Sequence, residues 1–302
     1  MRIVSLIASA TEITCALGLR GSLVGRSHEC DFPQDVVALP ALTAATFDTG
    51  LSSLKIDTAV KDLVRDGLAV YRVDRETLRA LRPDVILTQD QCEVCAASLK
   101  DVEAAVCDWV GQAVKIISLR PNALADIWAD IRRVGTALNA AGAAESLVES
   151  LTARIGACTS SRRLKIACVE WIDPLMTAGH WIPELIEAIG ADSLLARVGG
   201  PSPYVTIEAV AAADPDLIVV SPCGFDVARS LTEMPALAVQ PVWRGLRAVR
   251  EGRVAVADGN KYFNRPSPSV AQTAEILADI AAHFESGRPA RFGADIWQVW
   301  RG

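Results

Sequence analysis

The chain has 302 residues, more than a single hydrophobic core usually serves, so two domains are expected. Its 51% hydrophobic and 22% charged content is that of a packed protein rather than a disordered one. A net charge of −6 with no dense Lys/Arg stripe argues against nucleic acid or an anionic membrane as partner, and no apolar run approaches the ~18 residues of a transmembrane span.

Arg2-Ile3-Val4-Ser5-Leu6-Ile7 reads as an apolar strand, and Ala8-Ser9-Ala10-Thr11-Glu12 as a small-residue turn opening a helix over 9–18. A second strand, 22–26, runs into the polar loop Ser27-His28-Glu29-Cys30-Asp31. Residues 41–55 lack periodicity and read as a long loop. Further strands are expected at 70–73, 84–88 and 114–118, with helices at 56–66, 75–81 and 97–110. Short apolar strands alternating with helices indicate a parallel, covered sheet. No export leader stands ahead of the first strand, so the expected location is the cytoplasm and the eight cysteines are expected to be reduced. Cys15, Cys107, Cys158 and Cys168 lie among apolar residues and read as small buried hydrophobes. Cys30, Cys92, Cys95 and Cys223 instead sit in polar loops after strands.

Pro121-Asn122 opens a helical region reaching about residue 161. The step Asn139–Gly142 breaks it, and Leu147, Leu151 and Ile155 mark the apolar stripe of its second half. A second α/β series follows, with strands at 164–170, 216–221 and 253–257 and helices at 181–189, 206–213 and 269–284. The expected organisation is an N-terminal lobe (1–120), a helical linker (121–161) and a C-terminal lobe (162–302). An internal echo supports two similar lobes. Leu78–Thr88 resembles Val210–Val220, each a helix ending before Pro-Asp and followed by a buried strand.

In this order, these segments resemble the helical-backbone class of ABC-type solute-binding proteins, in particular its cobalamin-binding branch. The resemblance covers nearly the whole chain. It includes Val4–Glu12, Val24-Gly25-Arg26-Ser27, the Leu-x-Pro-Asp-x-Ile strand entry, Met176-Thr177-Ala178-Gly179-His180-Trp181 with Ile189-Gly190-Ala191, and Phe263-Asn264-Arg265-Pro266-Ser267-Pro268. It implies two Rossmann-like α/β lobes with parallel sheets, joined by a long backbone helix. The ligand would lie in a cleft between the lobes, gripped by strand-end loops. Relatives that feed an ABC permease are exported, so a permease partner is expected only if the true start lies upstream and the protein is periplasmic.

The loops supply candidate binding residues. Ser9, Thr11, Glu29, Asp31 and Gln91 belong to the first lobe's crevice. His28 and Cys30, two apart, can bind one metal, and His28 can be an axial ligand to cobalt or iron. Cys92 and Cys95 form a CxxC that supplies only two of four tetrahedral ligands. With His28 and Cys30 it would make a Zn or Fe centre, or alone a dithiol. In the second lobe the candidates are Trp171, His180, Trp181, Cys223, Phe225, Tyr262, Phe263 and Arg265, with Asp226 alongside. Trp181, Tyr262 and Phe263 would form aromatic walls against a conjugated macrocycle, and Arg265 would pair with a propionamide, carboxylate or phosphate group. His283 reads as a solvated helix-end residue, and Trp297 and Trp300 as docking the C-terminal tail.

No nucleophile elbow, P-loop or GxGxxG fingerprint is present. The expectation is a ligand-binding protein rather than an enzyme, taking cobalamin or another corrinoid or metal chelate of tetrapyrrole type. The alternative is a cytosolic metalloprotein or thiol enzyme reusing the fold around His28, Cys30, Cys92 and Cys95.

Overall fold

A computed structural model describes residues 1–66, 68–89, 114–159 and 161–302. The expected helix at 97–110, and with it Gln91, Cys92, Cys95 and Cys107, lies outside the described residues. The chain divides into two compact units. One comprises Met1–Leu51, Lys55–Pro121 and Ala125–Glu149; the other comprises Ser52–Leu54, Asn122–Leu124 and Ser150–Gly302. Each is an α/β unit built on a mainly parallel sheet.

The first unit begins with β1 (Ile3–Ser5), α1 (Ala8–Ala16) and β2 (Leu23–Arg26). Next come β3 (Thr43–Ala45), α2 (Ser53–Arg65), β4 (Tyr71–Val73), α3 (Arg75–Leu81), β5 (Val85–Gln89) and β6 (Lys115–Leu119). The main sheet has the order β2-β1-β5-β6, all parallel. Parallel strands need both faces covered, and β1 and β5 are accordingly buried throughout and mostly apolar, with Val4, Leu6, Leu42, Leu78 and Ile86 forming one core cluster.

Two expectations are corrected here. Residues 41–55 hold β3 and the start of α2 rather than one loop. The 70–73 strand is not part of the parallel sheet; β4 pairs antiparallel with β3 as a separate ribbon. At three residues each, these strands are too short for alternation to show.

The helical region resolves into α4 (Leu124–Ala137) and α5 (Ala141–Gly156), with Asn139 in the left-handed conformation (φ 59°) at the expected break. The division between the units falls inside α5, after Glu149.

The second unit contains β7 (Lys165–Trp171), β8 (Met176–Thr177), α6 (Ile182–Ala188), β9 (Asp192–Ser193), α7 (Ile207–Ala213) and β10 (Leu217–Val220). Four short helices follow: α8 (Val227–Glu233), α9 (Pro235–Ala238), α10 (Pro241–Gly245) and α11 (Arg247–Arg250). Then come β11 (Val254–Ala257), a π-helical turn at Gly259–Phe263, α12 (Val270–Ser286) and β12 (Trp297–Val299). The sheet order is β12-β11-β10-β7-β8, parallel from β11 to β7, with antiparallel β12 on one edge. Trp297 thus docks the tail as a strand residue, 2% exposed, its indole N–H donating to Asp279 Oδ2 at 2.9 Å. His283 stands in the last turn of α12 as expected, but it is half-buried rather than simply solvated. Its ring packs edge-on against Trp297, 5.5 Å between centroids, and its Nδ1 lies 2.6 Å from the Arg288 carbonyl.

The sequence echo is an echo in geometry. Asp74 caps α3 by accepting from Thr77 N–H, and Thr206 caps α7 by accepting from Ala209 N–H. Each helix ends in a left-handed residue, Arg82 (φ 44°) or Asp214 (φ 45°), before Pro-Asp. Each aspartate then latches onto the start of the neighbouring strand. Arg2 N–H donates to Asp84 Oδ2 (2.7 Å) while Asp84 N–H donates to the Arg2 carbonyl (2.8 Å). Lys165 N–H donates to Asp216 Oδ2 (2.9 Å) while Asp216 N–H donates to the Lys165 carbonyl (2.9 Å). Among the described residues, no helix is long and apolar enough to cross a membrane.

Candidate functional site

In open α/β sheets, ligands bind beyond the carboxyl ends of the strands, so the residues after β1 and β2 in the first unit, and after β7, β10 and β11 in the second, are those in position. In the first unit the loop after β2 is tightly fastened. Arg26 donates to the carbonyls of Leu39 (3.2 Å), Ser27 (2.9 Å), His28 (3.3 Å) and Val37 (3.1 Å). Thr43 Oγ1 gathers three contacts: the Ser27 hydroxyl (2.8 Å), the His28 peptide N–H (3.1 Å) and His28 Nδ1 (2.8 Å). The imidazole also lies against the Tyr71 ring at 5.5 Å between centroids, and the Tyr71 hydroxyl donates to Glu29 Oε1 at 3.2 Å. Burial, and after it the Arg26 guanidinium, hold the His28 pKa below its ordinary 6.5, so the ring is neutral at neutral pH.

Cys30 turns the other way. It is fully buried; the Thr11 hydroxyl donates to its sulfur at 3.0 Å, and the sulfur lies 3.9 Å from the Ser5 carbonyl. The loop therefore aims His28 and Cys30 at different partners. Among the described residues, no group of three or more His, Cys, Asp or Glu is placed to hold a metal ion. Cys92, Cys95 and Gln91 lie outside those residues. Ser9 and Thr11, 1% and 0% exposed, lie in α1, and Asp31 is half-buried at the loop's end.

The second unit gathers rings and a guanidinium. Trp171, at the end of β7, meets Phe225 after β10 at 5.3 Å between centroids, and the Arg229 guanidinium lies 4.8 Å over the Phe225 ring. The Asn260 N–H donates to the Phe225 carbonyl at 3.0 Å, and Arg265 donates to Asn260 Oδ1 at 3.1 Å, which ties the loops after β10 and β11 together. Gly259 is required here. A Cβ on it would sit 2.1 Å from the Pro222 carbonyl oxygen and 2.5 Å from the Ser221 carbonyl carbon. Burial raises the Asp258 pKa against the opposing pull of the Lys261 and Asn260 N–H groups and of Arg265. Cys223 and Asp226 are exposed in the same loop.

The turn before α6 is pinned at Gly179, whose N–H donates to Ser202 Oγ (3.0 Å) while that hydroxyl donates to Glu170 Oε2 (2.9 Å). A Cβ at Gly179 would fall 2.6 Å from the Gly200 carbonyl oxygen. His180, in the left-handed region (φ 53°), stacks on Trp181 at 5.8 Å, and burial lowers its pKa from 6.5.

The expected walls are more enclosed than the sequence implies. Trp181, Tyr262 and Phe263 are 6%, 5% and 1% exposed, and the Tyr262 carbonyl accepts from the Thr273 hydroxyl on α12. In this conformation they offer a ligand at most an edge. Trp171 and His180 are only partly buried. The indole N–H groups of both Trp171 and Trp181 are buried with no hydrogen-bond partner among the described residues. Residues missed from sequence include Thr43, on a strand too short to recognise, Tyr71, on the strand expected at 70–73 but not read as part of the site, and Ser202, inside the turn-rich Gly199-Gly200-Pro201-Ser202-Pro203.

A family model described as periplasmic binding protein matches residues 3–260. The chain belongs to the periplasmic binding protein family. It is 22% identical over 300 residues to the vitamin B12-binding protein of Vibrio parahaemolyticus, covering 96% of this chain and 91% of the relative. Among solved structures it is similar to a periplasmic heme binding protein from Pseudomonas aeruginosa (TM-score 0.69, 19% identity, 98% of this chain and 96% of that one). It is also similar to the periplasmic vitamin B12 binding protein of Vibrio cholerae (TM-score 0.61, 20% identity, 94% and 98%). These structures share the fold, two α/β lobes of the solute-binding type.

Proposed function

We propose that this protein binds a tetrapyrrole-type ligand, cobalamin or a related corrinoid, through the strand-end loops of its α/β units. The observation that carries the reading is the carboxyl edge of the second sheet. There Trp171 and Phe225 form an aromatic pair, Arg229 and Arg265 add positive charge, and the Trp171 and Trp181 indoles hold N–H donors without a partner among the described residues. A large conjugated ring with a carbonyl-bearing periphery matches both halves of that inventory: apolar area for the rings and acceptors for the donors. The likeness to a vitamin B12-binding protein over 96% of the chain supports the corrinoid choice. His28, held neutral, is the residue assigned to approach the ligand's metal.

We also place the protein in a reducing, cytosolic compartment. The described cysteines, Cys15, Cys30, Cys158, Cys168 and Cys223, are all free thiols, which supports this setting. Partnership with an ABC permease belongs to the exported case alone.

The test is anaerobic purification followed by absorption spectra and metal analysis before and after cobalamin is added. A corrin spectrum shifted to saturation at one equivalent is the expected result. An unchanged spectrum with cobalamin remaining dialysable would reject the reading.

A further inference from the structure

The nine-residue helix α1 follows β1 directly, so its N-terminus stands at the carboxyl edge of the first sheet. Its ending is unusual. The N-cap is Ile7, which has no side-chain acceptor, and the first turn carries no carboxylate. The first helical bond is donated by Thr11 N–H to the Ile7 carbonyl at 3.2 Å, leaving the peptide N–H groups of Ala8, Ser9 and Ala10 ahead of it. These residues are buried, at 6%, 1% and 0% exposure, so bulk water does not satisfy those donors. A second observation points the same way. The Ser9 hydroxyl is buried and has no hydrogen-bond partner among the described residues. Ser9 is the second helical residue, and side chains on a helix tilt toward its N-terminus. That tilt carries the hydroxyl toward the same turn as the uncapped peptides.

We propose that the first turn of α1 is an anion receptor, in which the N–H groups of Ala8, Ser9 and Ala10 and the Ser9 hydroxyl hold a phosphate or carboxylate oxygen of the bound molecule. Four donors and the positive end of a helix converge there, and a buried donor left unpaired costs more than a made bond returns, so an acceptor is required. Glu12 lies a turn further on, outside the first turn. The inference extends the ligand reading above, and depends on it only for the molecule that carries the anion. Cobalamin carries a phosphodiester and heme carries two carboxylates; the shared chemistry is a singly charged oxygen group.

The experiment uses the intact protein with Ser9→Ala and Ser9→Asp. Without added anion, Ser9→Ala should melt no lower than wild type, since it deletes a buried hydroxyl that bonds nothing. Inorganic phosphate should raise the wild-type Tm and move the Ala8, Ser9 and Ala10 amide resonances. Its apparent affinity should fall roughly tenfold in Ser9→Ala, and the response should vanish in Ser9→Asp, whose carboxylate occupies the receptor. Unmoved amides, or one Tm response common to all three proteins, would overturn the proposal.

The carrier is read from two pairs: cobalamin against cobinamide, which lacks the phosphodiester, and hemin against its dimethyl ester. The pair whose discrimination Ser9→Ala abolishes names the carrier; discrimination unchanged in both removes the receptor from tetrapyrrole binding. If none of the four binds, the ligand reading fails by itself, and the phosphate response still decides the receptor.

Discussion

After β2 the first unit presents hydroxyls and an imidazole hydrogen-bonded in a network centred on Thr43 and Arg26, with the Cys30 sulfur turned away to Thr11. At the equivalent edge the second unit presents Trp171, Phe225 and a guanidinium, with indole donors that have no partner among the described residues. The difference separates two tasks. A saturated polar network fixes the direction of one side chain, here His28, and has little capacity left for a ligand's periphery. On the proposed reading, an aromatic edge with spare donors would supply contact area and donors for a ligand's acceptors, and so most of the affinity.

That division can be broken experimentally. The largest effect is expected from Gly259→Val. Its side chain would drive into the Ser221–Pro222 backbone and separate the loops after β10 and β11, costing about 3 kcal/mol in urea denaturation. Trp171→Ala should weaken cobalamin roughly thirtyfold in a spectroscopic titration, beyond the modest loss of melting temperature that follows from its lost packing on Phe225. If Trp171→Ala costs no affinity, the assignment of area to the second unit is wrong. Arg26→Met removes four bonds to loop carbonyls and should cost about 2 kcal/mol of stability. It should also release His28, seen as a rise in its pKa by proton NMR.

The smallest effect is in pH. His28 and His180 both titrate below 6.5 when folded, so each favours the neutral form. Their contribution is complete above 6.5, where unfolded histidine is also neutral, and is lost as pH falls through the lower folded values. His28→Gln and His180→Gln should each flatten the fall of stability on the acid side of 6.5, measured as denaturation midpoint against pH. Equal slopes in variant and wild type would show that the rings are not held neutral.

The elements with strong local signals were legible from residue order alone. The buried strands β1, β5, β7 and β10 and the helices α3 and α7 follow from apolar runs, capping residues and Pro-Asp stops. The site was legible as a set of loops but not as a set of contacts. Nothing in Ser-His-Glu-Cys-Asp says that His28 turns to Thr43 while Cys30 turns to Thr11, because both partners arrive from other elements. Tyr262 and Phe263 look like ligand walls in sequence because aromatic residues after a strand serve equally well as packing. Their burial over α12 depends on the π-helical turn at Gly259–Phe263, which has no distinctive sequence signal.

The paired aspartates, Asp84 and Asp216, clamp the incoming end of each sheet by bonding reciprocally to Arg2 and Lys165. Strand register is thereby anchored at the edge opposite the loops. A fold secured from beneath can exchange its upper rim without relearning how to fold. Such a chain is a ready platform for divergence: new cargo can be acquired by rewriting a handful of strand-end residues while the architecture below stays constant.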